Sequence, residues 1–587
     1  MNANLGLFDM TLALSTSKIN SQFAFLQKKG IIKKDWKFLS DLDGYKTLNG
    51  TDPNFATALS AWKNSLDHTL EDEFKAIDAK ITAEVEKDEP DLINIKAWQK
   101  RKVELVKLMD EKSKYSIFHC ALDCEIDPPK VWLIKGESNK LYFEIPIKTG
   151  TLSYKKDGVI KVDKIDGSKY VFTVPVANKI VKKADVILGD TEQDKLVLND
   201  ISDDIFRIES LFLDFQNANI AQYDKTRSII LTDSTTLQIT LTNYFSKIVA
   251  RTDNPYILGY SIQRKVATRD ALLQPTTATY STSFSTEERS NAFNFLMQVD
   301  NHALPIDQRR GMLPKSLIED ALDKSPTVNG VMGINYQMFM TKYVDEVLTP
   351  QIAEAFGKSL RSIFVGFSYN RTDLTYKVAK DGFSANFYLN NRKITEGTTE
   401  KRGILISWDI EIKGSLHKEV EKKILGFIDV GTIGMDQRFS TSGAFKLNEH
   451  SSKKGKLSIL VSASTQGQLM AESFYEKPFI AKDTEMPEYT NPGDVVKDIL
   501  LGIIDALSMN ILAPFLLMKE MDFAKNIDDK TMDNFRLDDL GELNTKVILP
   551  GSNVFTFKTL RLLTRKQDDQ DAILFDIAYA PESLPNS

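Results

Sequence analysis

The feature that most constrains this chain is an alternation between two hydrophobic periods, in an order that occurs twice. Ile404, Ile406, Trp408, Ile410 and Ile412 form a strictly alternating run, the signature of a strand with one apolar face. Leu141, Phe143, Ile145 and Ile147 repeat that pattern, as do Tyr170, Phe172, Val174 and Val176, with hairpin turns at Lys155-Lys-Asp-Gly158 and Asp166-Gly167. Between such runs the steps change to three and four. Leu237, Leu241, Tyr244, Phe245 and Ile248 share one helical face. Tyr336, Phe339, Tyr343, Val347, Ile352 and Phe356 share another, bent at Pro350 and stopped by Gly357. A one-faced sheet must be covered. The order helix, sheet, helix therefore predicts antiparallel sheets that use their own long helices as cover. The first round spans 15–29, 115–232 and 236–250, and the second 332–357, 361–470 and 494–518.

The ends fit the same scheme. Phe8, Met10, Leu12 and Leu14 read as a short strand, Ser15-Thr-Ser17 as a helix cap, and Ile19, Phe23 and Leu26 as the helix that follows. Phe293, Phe295, Met297 and Val299 alternate, whereas the Ser/Thr-rich stretch from Gln274 to Thr286 reads as a loop or exposed strand. Strands close the chain at Val554–Leu563 and Ala572–Tyr579. One insertion breaks the pattern. From Phe55 to Val85 apolar residues recur every three or four positions, and after Lys87-Asp-Glu-Pro90 a second helical stretch carries Ile95, Trp98, Leu105, Val106 and Met109. The expectation is an antiparallel helical hairpin over 53–114 with a solvated, charge-rich outside.

The stretch Ile499–Met518 has the length of a membrane span. Its polar residues, Asp498, Gly502, Asp505 and Ser508, instead form one narrow helical stripe. A mid-span carboxylate is costly in lipid, so a helix buried in protein is expected.

Chemistry is sparse. The chain of 587 residues carries a formal charge of −6, which offers no basic surplus for nucleic acid. Five scattered histidines give no metal-ligand spacing. Cys120 and Cys124 fall on one strand about 13 Å apart, too far for a disulfide within it. No phosphate-binding Gly-rich loop or nucleophile elbow is present. The N-terminus lacks a basic n-region and a long apolar run, so a chain that is cytoplasmic when made, with any release by a non-classical route, is expected.

Four segments carry a resemblance: FDMTLALSTSKINSQ from Phe8, DNPYILGYSI at 253–262, NGVMGINYQMFMTKYVDEVLTPQIAEAFG at 329–357 and ILPGSNVFTFK at 548–558. With the order of elements, they resemble the TULIP (tubular lipid-binding) superfamily. The likeness is to its bacterial branch, the OrfX and forty-seven-kilodalton accessory proteins encoded beside clostridial neurotoxins. The resemblance implies an elongated α+β fold in two halves, 1–300 and 301–587, each a rolled antiparallel sheet around long amphipathic helices. It also implies an apolar groove for lipid or another hydrophobic molecule. No catalytic residue or cofactor comes with it, and the 53–114 insertion departs from it.

The wide apolar arc of 494–518 makes Ile499, Ile503, Leu507, Ile511 and Phe515 the first candidates for a channel wall, joined by Phe339, Val347 and Ile352 of the preceding long helix. Lining and packing use the same residue types. Burying an acyl chain of some ten carbons would contribute roughly 8 kcal/mol before binding costs. The expected function is non-enzymatic binding, as an accessory protein of a toxin system. Two alternatives stay open: a structural component of a toxin complex with a dry interior, and a membrane-active effector that inserts 494–518.

Overall fold

A computed structural model describes residues 5, 7–188, 198–199, 201–232, 234–249, 254–266, 272–285, 287–305, 316–325, 327–352, 368–370, 375–380, 383–398, 402–430, 435–482, 540, 542–550, 555–566 and 569–579. Over 247–249, 323–324, 368–370, 375–380, 383–387, 410–430, 435–455, 473–482, 542, 544, 564–566 and 569–570 the description is of the backbone. The chain is a mixed α+β protein whose described strand pairs are all antiparallel.

Its described strands form three sheets where the sequence suggests two. The additional one joins both halves of the chain. Its strand order is 275–283, 292–299, 10–15, 330–335, 569–579, 555–566. Met10–Ser15 sits in the middle, paired to Ala292–Val299 on one side and to Gly330–Asn335 on the other. All six residues of that strand are buried. Residues 1–300 and 301–587 thus both contribute strands to this sheet.

The Ser/Thr-rich stretch is corrected too. Pro275–Ser283 is a strand whose ends are buried, with Ser281, Thr282 and Ser283 fully inaccessible. The alternation of the neighbouring 292–299 strand leads one to expect a wet face at Asn294 and Gln298. Both are buried instead. The Asn294 amide donates to Ser281 Oγ and Ser283 Oγ, each at 3.2 Å, and Gln298 donates to Leu7 O at 3.2 Å. The hydroxyls the sequence suggests are wet are the hydrogen-bond partners that make this burial affordable.

An eleven-stranded sheet carries the first half and takes Val547–Ile548 as an edge strand beside Ile257–Arg264. Helix α1 (Thr16–Lys28) starts where Ser15 Oγ accepts from the Lys18 amide at 3.2 Å. It buries Ile19, Phe23 and Leu26, the face that the spacing predicts.

The insertion contains three helices rather than two: α2 (Phe55–Lys63), α3 (Thr69–Val85) and α4 (Leu92–Tyr115). The break lies at Asn64–His68, where Asp67 Oδ1 accepts from the Thr69 amide at 2.9 Å and opens a new helix. Helix α2 belongs to the body, because Phe55, Ala58 and Trp62 are buried and the Trp62 indole donates to Phe118 O at 2.8 Å. Helices α3 and α4 form the expected hairpin. It is tied by a two-pronged Arg101–Glu73 pair at 2.9 and 3.1 Å and by Lys102–Asp78 and Lys112–Glu71. Only Ile77 on α3, and Ile95 and Leu105 on α4, are buried.

So thin an apolar seam makes the arm separable from the body. Leu105→Asp places a charge at its most buried point and is expected to melt α3 and α4 while the cores persist. Far-UV circular dichroism should lose helix signal with near-UV signal unchanged. Loss of both together would show that the arm and the body fold as one unit.

Candidate functional site

Two helices have widened turns. Helix α5 (Ser234–Asn243) continues as a π-helix over Tyr244–Val249. Helix α6 (Glu319–Lys324) is a short connector. Helix α7 begins as Tyr336–Met338, widens to a π-helix over Phe339–Leu348 and returns to α winding at 349–352.

Around α5 the interior is filled by rings. Phe245 stacks on Phe215 at 4.6 Å and meets Trp36, Phe143 and Tyr244 edge-on at 5.5, 5.8 and 5.3 Å. Trp36 stacks on Tyr244 at 4.5 Å, and Tyr256 closes the nest against Phe143 and Phe215 at 5.2 Å each. Burial drives the Tyr244 and Tyr256 phenols well above their ordinary range. This is a packed core, held by offset and edge-to-face aromatic contacts. The two cysteines border it as buried free thiols, with Cys124 pushed by burial up to about 12. Such thiols are inert at neutral pH.

Helix α7 bridges two sheets. Its N-terminal half meets the central sheet, where Phe339 lies 6.5 Å from Phe575 and 5.2 Å from Tyr343. Its C-terminal half meets the third sheet, in strand order 368–370, 375–380, 383–396, 404–430, 435–463, 469–482. There the Trp408 indole donates to Thr349 Oγ1 at 3.3 Å, and Thr349 in turn donates to Val344 O at 2.8 Å. Leu389, Ile394, Ile404, Ile406, Leu457, Ile459 and Val461 bury beside Trp408 in the same core. Arg392 of the third sheet pairs with Asp345 of α7. Burial nonetheless holds that carboxyl above its usual range.

Phe339, Val347 and Ile352 thus lie in one continuous core, each nearly inaccessible. Ile499, Ile503, Leu507, Ile511 and Phe515 lie outside the described residues, as does the whole 494–518 segment. Trp408 and Thr349 are buried residues at α7 that the candidate set omits. Trp408 could have been found by extending the 404–412 alternation into the site. Thr349 had no signal, because its role depends on a partner 59 residues away. Among the described residues no group of His, Cys, Asp and Glu could hold a metal ion, and no helix is long and apolar enough to cross a membrane.

No protein-family model and no curated protein matches the chain. Two solved structures align with nearly the whole chain at low similarity. The P47 protein from Clostridium botulinum A2 has a TM-score of 0.41 and 11% identity, covering 98% of each chain. A lipopolysaccharide binding protein has a TM-score of 0.28 and 10% identity, covering 100% of each. Neither likeness fixes a function.

Proposed function

We propose that the chain is a non-enzymatic binding protein that takes up a lipid or another hydrophobic molecule between α7 and the apolar face of the third sheet. One observation carries the reading. The row Ile404, Ile406, Trp408 is buried in the core to which α7 also belongs, and the strand that bears it runs on without interruption to Val430. By sequence the row continues with Ile410 and Ile412. Among the described residues α7 meets this row at Trp408, near one end of a strand of 27 residues. The part of this apolar row beyond Trp408 needs cover, and a hydrophobic ligand is cover of the right chemistry. Phe339, Val347 and Ile352 supply the inner wall, while Trp408 supplies the end that α7 closes. No catalytic group is required.

Solvent extraction of the purified protein followed by mass spectrometry tests this. A lipid or another apolar molecule is expected in near-stoichiometric amount, and the stripped protein should take up a fluorescent fatty acid. A protein that carries nothing and takes up nothing would leave the interaction-component reading. That second reading has its own observation, the exposed apolar side chains Val85, Leu92 and Ile93 at the tip of the α3–α4 arm.

A further inference from the structure

The loop after α1 concentrates positive charge in a chain that is negative overall. Lys28, Lys29, Lys33 and Lys34 fall within Lys28–Lys34, against a net charge of −6. Beside the loop lies an open cleft of about 560 Å³, whose lining includes Gln27, Lys28, Lys33, Lys34, Asp35 and Pro128. We infer that this cleft binds a phosphate group.

Lysines at a helix C-terminus are ordinarily explained by the helix dipole. That account serves Lys28 and Lys29, which sit at the end of α1. It does not reach Lys33 and Lys34, which are exposed beyond the helix. Among the described residues Lys28, Lys33 and Lys34 have no ion-pair partner within 4.0 Å. Opposing charge is limited. Asp35 stands in the lining, and Glu125 and Asp127 lie nearby. Glu125 is already engaged by Lys148 at 3.0 Å, which holds its carboxyl below the usual range, with a lesser contribution from Lys34. A dianionic phosphate answers several neighbouring ammonium groups better than a single carboxylate does.

The walls are fixed in advance. The amides of Lys29, Gly30, Ile31 and Ile32 all donate to the last carbonyls of α1, at 2.9 to 3.1 Å. Gly30 makes the turn with φ of +72°, in the left-handed region. Lys33 O accepts from the Trp36 indole and Lys34 O from the Ile126 amide, both at 2.9 Å. Little backbone freedom is lost on binding. With those amides occupied, the lysine side chains supply the attraction, so binding should weaken steeply with salt. The volume exceeds that of a bare phosphate ion, which suits a phosphate carried on a polyol or a lipid headgroup.

The inference stands apart from the hydrophobic-ligand reading, since the cleft is an open surface feature. Its test uses the full chain and the variant Lys33→Ser/Lys34→Ser, whose exposed sites leave folding intact. Inorganic phosphate and pyrophosphate are titrated by calorimetry at low salt. Sedimentation is measured with phosphatidylcholine vesicles, with and without phosphatidic acid. Binding to either phosphate source, weakened tenfold or more in the variant, supports the site. Uptake of free pyrophosphate assigns a soluble ligand, and sedimentation with phosphatidic acid vesicles alone assigns a headgroup. Absence of binding to every probe, or binding that the variant leaves unchanged, overturns it.

Discussion

Phe245→Ala is expected to destabilise the first half by about 3–5 kcal/mol. The ring is fully inaccessible and touches six others, so alanine leaves a void that rigid neighbours cannot close. Phe215 would lose its stacked partner, and Trp36 and Phe143 would each lose an edge contact. Phe245→Leu keeps most of the volume and should cost less than about 1.5 kcal/mol. Urea unfolding followed by near-UV circular dichroism distinguishes the two, because aromatic packing is what that signal reports. Equal midpoints for both variants would mean that the nest relaxes around the gap, and hence that it is looser than these ring distances imply.

The second large effect is electrostatic. Arg561 and Asp576 are a buried pair in the last two strands of the central sheet, 2.9 Å apart, with side chains 8% and 1% exposed. The guanidinium also donates to Leu317 O at 3.0 Å and reaches Asp320 at 4.0 Å. Asp576→Ala leaves Arg561 buried with only the half-exposed Asp320 to offset it. The expected loss is about 3–5 kcal/mol. Replacing both partners, as Arg561→Met/Asp576→Leu, removes the uncompensated charge and should recover most of that loss. The measurement is the urea midpoint of the two variants against the unaltered chain. A double variant no more stable than Asp576→Ala would show that the pair contributes shape and hydrogen bonding rather than charge balance. The strand that bears Asp576 pairs with 330–335, so this defect strikes the sheet that joins the halves.

The two predictions probe what could and could not be read in advance. Leu237, Leu241, Tyr244 and Phe245 are on one helical face by spacing alone, and all four pack on the core. Phe143 comes from a strand whose alternation is equally legible, Trp36 from the short strand Asp35–Ser40 and Phe215 from the turn after Phe206–Leu213. That these rings fill the space around α5, rather than leaving a channel, is not legible, because lining and filling draw on the same side chains. Arg561 and Asp576 look like outward-facing residues in short strands. They are buried because Leu317 and its neighbours cover the second face of the central sheet.

In the candidate site, the long helix and the 404–412 run are plain in the sequence, and the structure brings Phe339, Val347 and Ile352 into one core with Trp408. The lysine run of the cleft is likewise visible in the sequence. Its opposite wall is not, since Pro128 is about a hundred residues away in the chain.

For 10–15, 16–28, 140–147, 169–176 and 234–245 local periodicity by itself determined strand or helix and which side is apolar, because side-chain direction repeats within a few residues of backbone. It could not determine how many sheets those strands make. Met10–Ser15 finds one partner at 292–299 and another at 330–335, and such pairings are settled only when distant segments meet. That meeting buried Asn294, Gln298 and Ser281 on a face the pattern marked as wet, and it sealed the α5 interior with rings. Tertiary structure alone decided which apolar faces are already covered by the chain itself.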